Sequence, residues 1–256
     1  MAINGIEYFA LRDLRRSGRL PLRGTLLAFG EANWYGDVPL EQLFSDINEF
    51  ALEGERDELK MELHRASSNV QASVFEIARV FYRAFLQSTS HVSIDLNGTS
   101  TARRFNLNEP LPLGEQYDVV LDSGTGEHVF NVLQFFKNAH ERTRPGGLMI
   151  HALPFCGWID HGFYTFQPTF FWDLAAANNY AIVDFVYGES RPLKLIRVAR
   201  REQVSEMLRA NVLGDNSTLH VTFQKPSGAE RPFHTPMQGV YRGTSEVVLR
   251  AWQNLR

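Results

Sequence analysis

The stretch YDVVLDSGTGEHVFNVLQFFKNAHERTRPGGLMIHALP, residues 117–154, contains a strand, a tight loop, a helix and a second strand in succession. Val119 to Leu121 form a short apolar run that ends at Asp122, and Ser123-Gly124-Thr125-Gly126 then breaks it. Apolar residues return at helical spacing, with Val129, Val132, Leu133, Phe136 and Ala139 on one face. Pro145-Gly146-Gly147 ends that helix, and Leu148 to Leu153 supplies the next strand. A strand, crossover helix and strand in this order build a parallel sheet, and open α/β sheets bind ligands beyond the carboxyl ends of their strands. Function is therefore expected on Asp122 to His128 and on the loop after Leu153.

Working outward, Thr25 to Phe29 reads as the first strand, followed by the loop from Gly30 to Asp37. His91 to Leu96 and Arg103 to Leu107 read as the second and third strands, Tyr117 to Asp122 as the fourth and Leu148 to Leu153 as the fifth. Tyr180 to Tyr187 and Thr218 to Gln224 complete a seven-stranded, mostly parallel sheet whose last strand runs antiparallel, with helices on both faces. Met1 to Leu20 reads as a polar helical lead-in. The segment from about 38 to 90 reads as a helical insertion or cover, heavily charged at first, then with Val70, Val74, Ile77, Ala78, Phe81 and Phe85 on one face. Pro168 suits the first turn of a helix burying Phe171, Leu174 and Ala175; a polar helix lies around Arg200 to Leu213, and Glu246 to Leu255 is a terminal helix. The whole chain, 1–256, is read as one domain.

With 44% hydrophobic and 21% charged residues the composition is that of a globular protein rather than a disordered or fibrous one. A net charge of −3 and the lack of a basic run give no electrostatic footprint for nucleic acid. The single cysteine, Cys156, rules out an internal disulfide framework, and no apolar run is long enough to span a membrane. No secretion signal is read at the N-terminus, so a cytoplasmic protein is expected. Oligomeric state is not legible.

The chemistry-bearing residues gather at strand ends. Asp95 closes the second strand, where a carboxylate can accept from both hydroxyls of a ribose, or can simply form a turn before Asn97-Gly98. Asn106 and Asn108 close the third and fit either an adenine edge or an Asx turn. The loop at Asp122 lacks the Gly-x-Ser-x-Gly of a nucleophile elbow and the lysine of a P-loop, and Gly30 to Gly36 lacks the Gly-x-Gly-x-x-Gly of a nicotinamide site. His128 and His161 follow the fourth and fifth strands, so both can face one pocket. Histidine titrates near neutrality and suits a general base; His128 can equally serve backbone groups at a helix start. Asp160, Tyr164 and Trp158 cluster with His161, and the spacing of the histidines fits no common metal motif, so no metal is expected.

Asp122 to Gly126, Glu127-His128-Val129 and Arg144-Pro145-Gly146-Gly147 resemble the second half of class I S-adenosylmethionine-dependent methyltransferases. Asn106-Leu107-Asn108-Glu109-Pro110 and His161-Gly162-Phe163-Tyr164-Thr165-Phe166-Gln167-Pro168 resemble motifs of one branch of that superfamily, some members of which are associated with polysaccharide biosynthesis. The resemblance implies a Rossmann-like fold and S-adenosylmethionine as cofactor. It places Gly30 and Glu31 beside the methionine part, Asp95 on the ribose, Asn106 and Leu107 around the adenine, and Asp122, Ser123 and Gly124 on the sulfonium side. The expected reaction is methyl transfer to an oxygen or nitrogen of a small-molecule or glycan-like acceptor, with His161 as the base and His128 and Tyr164 beside it. The sequence departs from the family at Ala28, Ala32 and Trp34, where an acid and two glycines are usual. A binding protein that kept the fold and lost the donor site is the alternative.

Overall fold

The computed structural model describes residues 2–20, 23–68, 73–242 and 250. Its elements in chain order are β1 (Ala2–Ile3), α1 (Gly5–Arg16), β2 (Thr25–Phe29), β3 (Asn33–Trp34), α2 (Leu40–Phe50), α3 (Arg56–Ser67), α4 (Ser73–Leu86), β4 (Ser90–Ile94), β5 (Tyr117–Ser123), α5 (Val132–Arg142), β6 (Thr143–Pro154), α6 (Pro168–Asn178), β7 (Ala181–Ser190), β8 (Leu193–Arg197), α7 (Gln203–Arg209) and β9 (Thr218–Gln224). The expected terminal helix, Glu246 to Leu255, and Val70 lie outside the described residues, apart from Arg250.

The main sheet has seven strands in the order β4-β2-β5-β6-β9-β7-β8. β4, β2, β5 and β6 pair in parallel, β9 runs antiparallel between β6 and β7, and β8 forms an antiparallel hairpin with β7. From β2 the chain moves to β4 on one side and returns to β5 on the other. The switch point where open sheets bind ligands therefore lies between β2 and β5. Thr125 spans it, its hydroxyl donating to the Phe29 carbonyl at 2.7 Å.

Two apolar layers follow from the period-two alternation of buried strands. Leu26, Val119, Leu121, Leu148 and Ile150 point to a cluster that includes Tyr8, Leu43, Ile47, Leu59, Leu63, Phe81 and Phe85. Leu27, Phe29, Val120, Met149 and Leu153 point the other way, toward Phe135, Phe136, Phe171 and Leu174. Residues 38–68 thus form packed helices of the first layer, because Leu43, Ile47, Leu59 and Leu63 give their charged sequence a fully buried stripe. Among the described residues no helix is long and apolar enough to cross a membrane.

Three details differ from the sequence expectation. Arg103 to Leu107 forms only an isolated bridge, Ile94 to Arg103, because Asn106 leaves the sheet in an Asx turn with Asn108. The seventh strand is instead β8, whose alternating Leu193-Lys194-Leu195 reads as surface. Finally, α5 begins at Val132, capped by the Asn131 side chain accepting from Gln134 N–H, which places Phe135 in the core and leaves Leu133 half exposed.

Candidate functional site

A cavity of about 420 Å³ opens at the carboxyl ends of β5 and β6, lined by Ser123, Gly124, Glu127, His128 and His161 among others, with Glu7, Asn33 and Tyr35 closing its far side. The loop after β5 is shaped by Asp122, which is fully buried. Its Oδ1 accepts from the N–H groups of Thr125 (3.0 Å) and Gly126 (3.2 Å), and its Oδ2 lies 3.0 Å from His151 Nδ1. Gly124 takes φ +81°, a conformation only glycine adopts without strain, and so presents bare backbone to the cavity. Asp122 organises the loop; Ser123 and Gly124 face the space.

The loop after β6 comes back onto the same place. Phe163 and Tyr164 N–H donate to the Glu127 carbonyl at 2.8 and 3.3 Å. Gly162 makes this approach possible, since a Cβ there would stand 2.9 Å from that carbonyl oxygen. His161 is thereby held with Nε2 3.5 Å from Glu127 Oε1, its ring 5.0 Å from that of His128 and 4.8 Å from that of Trp158. Trp158 is fixed in turn by its indole N–H donating to the Ser217 carbonyl at 2.8 Å.

Two buried acids flank the cavity. Glu127 is 1% exposed, and burial, reinforced by the nearby Asp122 charge, pushes its carboxyl up to about 8. Glu7, on the first turn of α1, is pushed up to about 7 by burial, a rise partly offset by hydrogen bonds from the Ser123 and Tyr82 hydroxyls. The Oε2 atoms of both are buried and accept no hydrogen bond among the described residues. Burial and the neighbouring His161 lower His128. The site is thus one in which buried carboxyls hold protons near neutrality beside two histidines.

The other expected residues lie apart from this cavity. The Tyr164 hydroxyl donates to the Phe130 carbonyl at 2.9 Å and does not line the space. Asp95 Oδ2 accepts from Glu31 N–H at 2.9 Å and Oδ1 from Asn97 N–H at 2.8 Å. Glu31 is buried, accepting from Thr99 N–H (2.6 Å) and Oγ1 (2.9 Å) and pairing with Arg79 at 3.2 Å. It lines a smaller cavity of about 200 Å³ with Ser93 and Thr101. Gly30 N–H donates to the Ile94 carbonyl, Asn106 Oδ1 accepts from Asn108, and Leu107 is buried in the second apolar layer.

Trp34 is turned away from this cavity. Its strand β3 pairs with β1, and its ring packs edge to face on Tyr8 at 5.8 Å, inside the first apolar layer. Glu127 falls in the stretch from Asp122 to His128 where function is expected, and Glu7 falls outside every expected site. Nothing in the sequence marks Glu127 as buried, and Glu7, three residues after the capping Asn4, reads as an ordinary first-turn acid until the fold lays Ser123 over it.

No protein-family model matches the chain, and none of the curated proteins compared with it does. Among solved structures, the chain is similar to the N-methyltransferase NodS of Bradyrhizobium japonicum WM9 in complex with S-adenosyl-L-homocysteine (12% identity, 88% of this chain and 89% of that one, TM-score 0.47). It is also similar to an S-adenosylmethionine-dependent methyltransferase of Mesorhizobium loti (13% identity, 86% and 98%, TM-score 0.38). A third is the 1,6-didemethyltoxoflavin-N1-methyltransferase of Burkholderia thailandensis (13% identity, 85% and 77%, TM-score 0.37). The chain's own strand order establishes an α/β fold of the Rossmann-like type, with its cavity at the carboxyl edge of the parallel strands.

Proposed function

We propose that the chain is an S-adenosylmethionine-dependent methyltransferase acting on an oxygen or nitrogen of a small or glycan-like acceptor. The observation that carries this reading is the cavity beside Ser123 and Gly124, next to the β2–β5 switch point, with His128, His161 and Glu127 on its wall. The residues present fit the cofactor. Gly124 leaves bare backbone where the sulfonium side belongs, Trp34 is turned into the core, and the Asp95 carboxylate, with one hydrogen bond on each oxygen, keeps lone pairs for two hydroxyls. When bound, the cofactor supplies an electrophilic methyl group.

The chain's own part is to hold the acceptor in line and to take its proton. His161 Nε2, at the cavity wall and 3.5 Å from the Glu127 carboxyl, is the group assigned that proton. Ser123, Gly124 and the Trp158 ring, which line the cavity beside His161, would set the acceptor's position. Phe130 and Phe163, both exposed and edge to face at 5.5 Å, offer apolar ring faces next to this loop, which supports a ring-bearing acceptor. Tritium transfer from methyl-labelled S-adenosylmethionine to a panel of sugars, phenols and amines tests the reading. Label in an acceptor with the parent protein, reduced in His161→Ala, supports it; no label in any acceptor class sinks it.

One observation favours the non-catalytic alternative. The Glu31 carboxylate beside Asp95 is already engaged by Thr99 and Arg79, and Asp95 itself holds the Glu31 and Asn97 N–H groups, so the expected ribose site is partly filled by the chain's own bonds. That alternative predicts that S-adenosylhomocysteine leaves the melting temperature of the protein unchanged.

A further inference from the structure

Glu127 Oε1 stands 3.8 Å from His128 Nε2 and 3.5 Å from His161 Nε2, and one ligand-type atom from each of the three side chains lies within 4.8 Å of the others. Nitrogen–oxygen hydrogen bonds span about 2.7–3.2 Å, so these contacts are too long to be hydrogen bonds. They come close to another length. Ligand atoms about 2.1 Å from a tetrahedral ion stand about 3.4 Å from one another. Both distances from Glu127 come near that value, and the ligand atoms of the two imidazoles, partly exposed, lie within 4.8 Å of each other, so a small rotation of either ring brings the three side chains around a single ion.

The cluster is also built rather than incidental. Glu127 is 1% exposed, and its second oxygen accepts no hydrogen bond among the described residues. Its carbonyl anchors the returning loop through Phe163 and Tyr164 N–H, an approach that only the missing side chain of Gly162 permits. Trp158 packs against His161 and fixes the ring's position. His128 and His161 remain partly exposed, facing the cavity that Ser123 and Gly124 line.

The geometry points to a divalent transition-metal site formed by Glu127, His128 and His161, with its remaining position open to the cavity. Two imidazoles and one carboxylate suit Zn²⁺ and its first-row neighbours, whereas Mg²⁺ and Ca²⁺ prefer sets made of oxygen. Three protein ligands and an open position are the pattern of ions that bind substrate rather than only support a fold. Metal binding stands independently of the methyl-transfer reading; the use of the open position for an acceptor oxygen rests on it. The His161 Nε2 lone pair takes the acceptor's proton in the metal-free protein; with the ion bound it is a ligand, and the open position of the ion would hold the acceptor oxygen in its place.

The test uses the full chain, stripped with a chelator and titrated with Co²⁺ and Zn²⁺. Equilibrium dialysis with elemental analysis reads stoichiometry, and the visible d–d bands of Co²⁺ read coordination. One ion per chain is expected, with low-symmetry Co²⁺ bands that Zn²⁺ abolishes. Binding should weaken by at least about tenfold in Glu127→Gln and in His161→Ala, and stay unchanged in His64→Ala on the surface of α3. Gln keeps the shape of the buried acid and His161 is partly exposed, so circular dichroism should show both variants folded. Absence of stoichiometric binding, or binding undiminished in both variants, overturns the proposal. Because the readout is the metal itself, failure of methyl transfer leaves this result standing, and loss of metal binding leaves the transferase assay to be read on its own.

Discussion

Replacing Glu7 with Gln should remove a pH dependence from the stability of the protein. Glu7 is 1% exposed, and its carboxyl titrates near 7 in the folded protein against 4.5 when exposed. The native state therefore holds a proton that the unfolded chain releases. Stability from this group is fully present below pH 4.5 and is lost as pH rises through 7. Taking 1.36 kcal/mol for each pH unit separating the two values, the loss between about pH 5 and pH 8 is about 2.5 kcal/mol. The amide of Gln has nearly the same shape, can still accept from the Ser123 and Tyr82 hydroxyls, and does not titrate. Urea unfolding of both proteins at pH 5, 6, 7 and 8, at fixed ionic strength, measures the effect. The unfolding free energy of the variant minus that of the parent should rise by about 2.5 kcal/mol across this range. The buried His91 and His220, both lowered to about 4 by burial, act in the opposite sense but are common to both proteins and cancel. A difference that stays flat with pH would refute the reasoning, because it would mean Glu7 is as well solvated folded as unfolded.

Other perturbations separate packing from chemistry. Trp34→Ala should cost about 3–5 kcal/mol in thermal or urea unfolding, as for other buried aromatic truncations, while the affinity for S-adenosylhomocysteine of the folded fraction is kept. Tyr164→Phe should lower stability by about 1 kcal/mol through the lost bond to the Phe130 carbonyl and leave the rate of methyl transfer as it was. Gly162→Ala places a Cβ 2.9 Å from the Glu127 carbonyl oxygen, so it should push His161 away and lower the transfer rate with little change in melting temperature.

Much of the fold was legible because the parallel strands are buried on both faces and read as apolar runs with sharp ends. Val119 to Leu121, Leu148 to Leu153 and Thr25 to Phe29 are cases in point, as is Pro168 at the start of α6. Edge positions were not. Leu193 to Arg197 forms β8 with charged residues between its apolar ones, and Arg103 to Leu107 looked like a strand until the Asn106 turn took it out of the sheet. The phase of α5 was set by the Asn131 cap, a choice between neighbouring starts that the apolar spacing alone left open. In the site, His128 and His161 were placed on one cavity by the rule that strand ends converge. The burial of the acids beside them was invisible, since Glu7 is covered by Ser123 and Tyr82 and Glu127 by the returning loop at Phe163, all remote in sequence.

The central claim is that the cavity at the carboxyl ends of β5 and β6 receives a methyl donor. Calorimetric titration of the full chain with S-adenosylhomocysteine tests it most directly. A saturable heat with one ligand per chain, weakened by replacing Gly124 with Val, is the predicted result; no heat with either S-adenosylhomocysteine or S-adenosylmethionine at millimolar ligand contradicts it.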